Sequence, residues 1–127
     1  MGNESFEIIG VLTQQVIDIL ELDFEAETPI YIGELNIEHM ERNHPKDYKK
    51  YGRKIGRILA EPDYVGLNDK DESIEYIKSF GLFIKVAVRV SNSGALFVRS
   101  LYHVSDKQIS LWVDTGRLIL LTKDEEI

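Results

Sequence analysis

Cysteine is absent from the 127-residue chain, which excludes a disulfide framework, a thiolate nucleophile and any cysteine-ligated zinc or iron–sulfur centre. A reducing, cytoplasmic setting is the expectation. Proline is scarce and glycine unremarkable, at three and nine residues, so nothing marks a disordered tract away from the tips. No apolar run approaches the ~20 residues that span a bilayer, and Met1-Gly2-Asn3-Glu4 lacks the basic start of a secretory signal. No membrane partner is expected. A phosphate-binding glycine loop, a dinucleotide fingerprint, a nucleophile elbow and a calcium loop are all missing, so no cofactor is expected either. The most informative shortage is of positive charge near the start. Residues 1–38 hold nine acids and no lysine or arginine, whereas residues 39–127 hold fifteen basic residues against thirteen acidic ones. A net charge of -7 argues against a nucleic-acid partner when taken alone, but it averages two unlike halves.

What is present suits one α+β domain, because a chain this long buries roughly two thirds of its unfolded surface. Ile9, Leu12, Val16, Ile19 and Leu20 recur at helical spacing and predict a helix over residues 8–22 with an acidic outer face. Pro29 to Ile32 reads as a short strand. Asn36 is expected to cap a helix that stops before Pro45, and Pro45 to open a second one with Tyr48, Tyr51, Ile55, Ile58 and Leu59 on one face. Residues 63–67, 73–79 and 82–90 follow as strands. Within the last, Leu82, Ile84, Val86, Val88 and Val90 alternate with Phe83, Lys85, Ala87 and Arg89. Ser91 to Gly94 is a hairpin turn, residues 95–104 the returning strand, 106–114 a weaker helix and 118–121 a last strand before an acidic tail.

Pairing Ser91 with Gly94 sets Lys85 opposite Ser100, Phe83 opposite Tyr102 and Arg89 opposite Leu96, which gathers Lys85, Arg89, Ser100 and Tyr102 on the face away from the valines. No acid occurs from Ile77 to Ser105, so two strand cations without local carboxylates make a candidate phosphate or oxyanion site. A three-residue turn would bring Arg99 and His103 there instead. A solvated sheet face is the competing reading. His39 and His44 are five apart, about 140° around a helix, and so do not form a zinc-gripping pair; either can act as general acid or base. Arg42, Lys46, Lys49, Lys50, Arg53, Lys54 and Arg57 include only Asp47 among them as an acid, a density that suits a phosphate backbone or, more plainly, a solvated helix face. Tyr48, Tyr51 and Trp112 are core residues first.

Together, the helix with His39, the dipeptide His44-Pro45, the run Ile58-Leu59-Ala60-Glu61-Pro62-Asp63-Tyr64-Val65 and Arg99-Ser100-Leu101-Tyr102 resemble the phage-associated barnase/EndoU/colicin/RelE-like nuclease domains over about residues 29–122. The resemblance implies helices packed on a four- to five-stranded antiparallel sheet, with 29–127 the nuclease-like domain; residues 1–28, an acidic helical extension expected to pack on that domain, lie outside the resemblance and depart from it. It also implies metal-independent RNA cleavage by 2′-hydroxyl attack, in a phage, mobile-element or toxin setting. The residues it points to are His39, His44, Arg89, Arg99, Ser100 and Tyr102; Lys85 joins them by the pairing argument. On this reading a histidine takes the hydroxyl proton, Lys85 and Arg89 hold the phosphorane charge, and Tyr102 or the second histidine protonates the leaving oxygen. Ser100 positions the phosphate, and Lys49, Lys50, Arg53, Lys54, Arg57 and Arg99 bind RNA. Expected partners are RNA, tRNA among the candidates, and an immunity or host protein at the acidic N-terminal helix. The competing function is a non-catalytic module that grips RNA or inhibits a host protein.

Overall fold

In the computed structural model, residues 5–121 are described; the N-terminal tetrapeptide read above for a signal and the acidic tail lie outside the described residues. Seven strands form one mixed sheet: β1 (Phe6–Val11), β2 (Pro29–Gly33), β3 (Tyr64–Asn68), β4 (Ser73–Ser79), β5 (Phe83–Val90), β6 (Leu96–Val104) and β7 (Leu118–Leu120). Their order is β1-β2-β6-β5-β4-β3-β7. The helices are α1 (Gln14–Leu20), α2 (Glu34–Asn43), α3 (Pro45–Tyr51), α4 (Ile55–Ala60) and α5 (Asp106–Asp114). None is long and apolar enough to cross a membrane.

The α+β class stands, but two expectations are corrected. The sheet has seven strands rather than four or five, and it is mixed, because β2 runs parallel to β6 through Ile30–Leu96 and Tyr31–Phe97. The single helix expected over residues 8–22 is a strand followed by a short helix. Branched Ile8 and Ile9 suit a pleated strand, and β1 pairs antiparallel with β2. Thr13 then starts α1 by accepting the Val16 N–H at 3.3 Å, a cap worth about 1 kcal/mol. Leu12, Val16 and Ile17 enter the same core as the central strands.

Two smaller corrections concern the helices. Asn36 is not the cap of α2 but sits in its first turn, where its Oδ1 accepts the Gly33 N–H at 2.8 Å. The helix expected from Pro45 onward breaks into α3, a 3₁₀ turn over Gly52–Lys54, and α4; Gly52, with its low helix propensity, stands at the break.

Alternation gives the sheet two unlike faces. Ile30, Ile74, Tyr76, Ile84, Val86, Val88, Leu96, Val98 and Leu101 belong to a large core completed by Val16 of α1, Met40 of α2, Tyr51 of α3 and Ile55, Ile58 and Leu59 of α4. Ile77, Val104, Ile109 and Leu118 form a smaller cluster on the other face, with Tyr64, Phe83, Tyr102 and Trp112 against it. α5 supplies Ile109 and Trp112 there. Between these apolar groups lie Ser73, Glu75 and Lys85, all buried.

The hairpin register differs from the one expected. Ser91 and Ala95 close the turn, through the Ser91 N–H to the Ala95 carbonyl at 2.8 Å, with Gly94 at φ +86°. That left-handed residue ends a three-residue loop. Alone, this loop would put Arg99 and His103 on the Lys85 face. A bulge between Ala87 and Val88 on β5 and their partners Ser100 and Val98 adds one residue, Arg99, to β6. The pairs become Lys85–Tyr102, Ala87–Ser100 and Arg89–Phe97. Lys85, Ser100 and Tyr102 thus share a face as expected, but Lys85 stands opposite Tyr102, not Ser100, Phe83 opposite Val104, and Arg89 opposite Phe97.

Candidate active site

Beyond Phe97 no described strand pairs with the outer edge of β6. α2 and α3 cover that edge instead. Asn36 at the start of α2 borders a cleft of 260 Å³ with Arg89, Val90, Ser91, Phe97 and Arg99. At the other end, His44 leaves the helix before Pro45, with φ -138° and ψ 62°, and its ring stacks on Tyr102 with centroids 4.8 Å apart. Eight residues of helix separate Asn36 from His44, a span of about 12 Å. The strip from Arg89 and Arg99 past Ser100 to Tyr102 and His44 is therefore a track rather than one pocket.

Under Tyr102 the Lys85 ammonium lies 4.7 Å from the Tyr102 ring centre and 5.1 Å from that of Trp112. It also donates to Glu75 Oε2 at 2.7 Å. Arg117 donates to both oxygens of Glu75, from Nε at 2.9 Å and Nη2 at 2.8 Å, and lies over Trp112 at 4.3 Å. Burial pushes the Glu75 carboxyl up, but the hydrogen bonds and charges of Arg117 and Lys85 outweigh that and hold it below its ordinary range. Two cations share one anion, so the floor beneath Tyr102 carries net positive charge. Gly66 makes room for this arrangement: a Cβ there would overlap the Arg117 carbonyl.

The expectation of an acid-free cationic face is thereby corrected. Residues 77–105 do lack acids, but β4, in register with β5, brings Glu75 beside Ala87, and Lys85 is 4% exposed. A second acid arrives from α3. Asp47 Oδ2 accepts the His103 backbone N–H at 3.0 Å and lies 3.1 Å from His103 Nδ1. Burial raises the Asp47 carboxyl; the backbone and ring hydrogen bonds of His103, with the charges of His103 and His44, prevail and lower it.

The structure brings together His44, Tyr102 and Lys85, with Ser100 one alternate residue along β6. Arg89 and Arg99 stay at the hairpin end. His39 is exposed on α2, where its ring meets Asn43 Nδ2 at 2.9 Å. Lys49, Lys50, Arg53, Lys54 and Arg57 are exposed on α3, the 3₁₀ turn and α4, on the helical layer that covers the opposite, apolar face. Lys49 and Arg53 border a groove of 460 Å³ with Glu41, Pro45, Tyr48 and Gly52. A larger groove, 530 Å³, runs past Leu67, Lys70 and Arg117 and holds no histidine. Sequence reasoning missed Asp47, Glu75, His103 and Arg117 as members of the site; only the alternative hairpin register had pointed to His103.

A family model described as phage-Barnase-EndoU-ColicinE5/D-RelE like nuclease3 matches residues 7–110. The chain belongs to this phage-type nuclease family. The match begins in β1, so β1 and α1 lie within the family's span, and it ends in α5, short of Arg117. No curated protein and no solved structure matches the chain. The nuclease family points to nucleic acid as the substrate, and the track beside β6 is where this chain sets an imidazole against a positively charged floor.

Proposed function

We propose that this nuclease domain cleaves RNA by attack of a 2′-hydroxyl on the adjacent phosphate, at the end of β6 where His44 stacks on Tyr102. That stack carries the reading, because it fixes an acid–base side chain over a floor with one cation in excess. In the reaction the O2′–P bond forms as P–O5′ breaks, leaving a 2′,3′-cyclic phosphate and a free 5′-hydroxyl. His44 gives its proton to the departing O5′, and the 2′-oxygen loses its own to a second acid–base group.

The roles of the cations follow their exposure. Lys85 is buried beneath Tyr102 and acts at a distance, positioning that ring and lending positive potential with the partly exposed Arg117 as charge builds on the phosphorane. Ser100 hydrogen-bonds a phosphate oxygen, and Arg89 and Arg99, about 12 Å along the track, hold neighbouring phosphates. Lys49, Lys50, Arg53, Lys54 and Arg57 add sequence-independent attraction for the RNA backbone from the helical side.

The test is incubation of the purified protein with total RNA in chelator. Fragments ending in cyclic phosphate are expected, and His44→Ala should slow their appearance by about 10²–10⁴-fold. RNA that is retarded on a gel but stays intact would replace the enzyme with a binding module.

A further inference from the structure

Besides holding the edge of β6 through the His103 backbone N–H, Asp47 meets the half-exposed His103 ring. His103 is 58% exposed and Asp47 20%, and an ion pair so open to water contributes little to stability. Its geometry, by contrast, is that of a directed imidazole. One carboxylate oxygen takes the His103 backbone N–H and faces Nδ1, which anchors the strand, sets the ring plane and selects the tautomer with its proton on Nδ1. Nε2 is then a lone-pair acceptor, and among the described residues it has no hydrogen-bond partner.

One turn of chain delivers both halves of this arrangement. His44 precedes Pro45 and reaches Tyr102; Asp47, three residues later in the first turn of α3, reaches His103, the next residue of β6. Tyr102 and His103 point to opposite faces, yet both are accessible to the α2–α3 junction because it straddles the unpaired edge of β6. Two imidazoles therefore flank one strand edge, His44 against Tyr102 and His103 against Asp47. His39, the other histidine considered from sequence, hydrogen-bonds among the described residues to its helix neighbour Asn43.

We propose that His103, oriented by Asp47, is the group that takes the 2′-hydroxyl proton, so that His103 and His44 divide the two proton transfers between them. The inference rests on the ribonuclease reading. His103 Nε2 accepts the proton as O2′ bonds to phosphorus; His44 supplies one to O5′ as its bond to phosphorus breaks; the pair exchange protons with solvent before the next turnover. Asp47 is a positioning residue.

The experiment uses the full chain, in chelator, with a short RNA and a matched RNA whose scissile 5′-oxygen is replaced by sulfur, a leaving group that departs without protonation. His103→Ala should lower kcat about 10²–10³-fold with KM nearly unchanged, and added imidazole should restore part of the loss. Its defect should persist on the sulfur substrate, whereas the His44→Ala defect should largely vanish there. Asp47→Asn should cost roughly ten- to a hundredfold. His103→Asn, whose Nδ2 takes the place of Nδ1 and keeps the hydrogen bond to Asp47, should be as inactive as the alanine variant with an unaltered melting temperature, which separates chemistry from folding. Cleavage by His103→Ala at the wild-type rate, or loss of its defect on the sulfur substrate, overturns the assignment while leaving the ribonuclease reading intact. Wild-type protein that cuts neither RNA overturns both.

Discussion

Two carboxylates in this protein hold basic partners on β5 or β6, and their surroundings could hardly differ more. Glu75 is fully buried between Lys85 and Arg117, whereas Asp47 holds a histidine that is more than half exposed. The first arrangement replaces lost hydration with three hydrogen bonds from two cations, so removing Glu75 leaves both cations without a counter-charge in a poor solvent. The second stands in water, where its loss barely alters the folding equilibrium. On the proposed reading, buried charge serves the scaffold beneath the site and the half-exposed pair serves the chemistry above it.

The strongest way to break that comparison is Glu75→Gln. It leaves Lys85 and Arg117 facing each other over a neutral amide and should cost about 3–5 kcal/mol, read as a lower urea midpoint. A loss under ~1 kcal/mol would show that the two cations rehydrate freely and that the buried centre is no scaffold. Because Arg117 still satisfies Glu75 in its absence, Lys85→Met should cost less than Glu75→Gln while tilting the unsupported Tyr102 ring, detectable as weaker His44 activity at intact folding.

Acid titration probes the same contrast. Glu75 has a folded-state pKa below its ordinary value of 4.5, so its stabilising contribution is complete above that value and disappears as pH falls through the lower folded pKa. Asp47 is shifted in the same direction, but the exposure of its partner His103 leaves little stability to lose. Wild type and Asp47→Asn should therefore lose stability in parallel on acidification below about pH 4.5, whereas Glu75→Gln should start lower and fall less. Parallel acid curves for wild type and Glu75→Gln would remove Glu75 from the account.

How much of this could be read from sequence depends on the range of each interaction. The strands β3 to β6 were legible because alternation of valines and polar residues is local, as were Ser105-started α5 and the Pro45 boundary. β1 was hidden because Ile9 and Leu12 happen to fit a helical spacing with Val16, and only pairing with β2 decides between the two periods. The Lys85, Ser100 and Tyr102 face was found with the wrong partners. Its register needed both the three-residue turn and the bulge at Arg99, and one extra residue in a strand has no signature in composition. Glu75 and Asp47 escaped for a related reason: each lies outside the acid-free stretch in sequence, ten residues from Lys85 and 56 from His103, and only tertiary packing brings it in.

A smaller effect is expected at the helical cations. Changing Lys50 and Lys54 to Gln should weaken RNA binding uniformly across sequences and reduce the steepness of its salt dependence by about one unit for each phosphate no longer neutralised, with cleavage at saturating RNA unchanged. Measuring affinity at several salt concentrations checks this. A lower saturating rate instead would mean that this surface, on the far side of the sheet from Lys85, reaches the reacting phosphate after all.

The smallest predicted change is the one that bears most on the comparison. Asp47→Asn retains an oxygen for the His103 backbone N–H and removes only the charge, so the folded state should lose less than about 1 kcal/mol. Chemical denaturation of this variant beside Glu75→Gln places both carboxylates on one scale. If the asparagine variant is destabilised as much as the glutamine variant, then the α3 contact holds the β6 edge in place, and a fall in activity on losing Asp47 would report a loosened strand rather than a misdirected imidazole. If stability survives while turnover drops, the charge was acting on His103 alone, since nothing else about the fold would have changed.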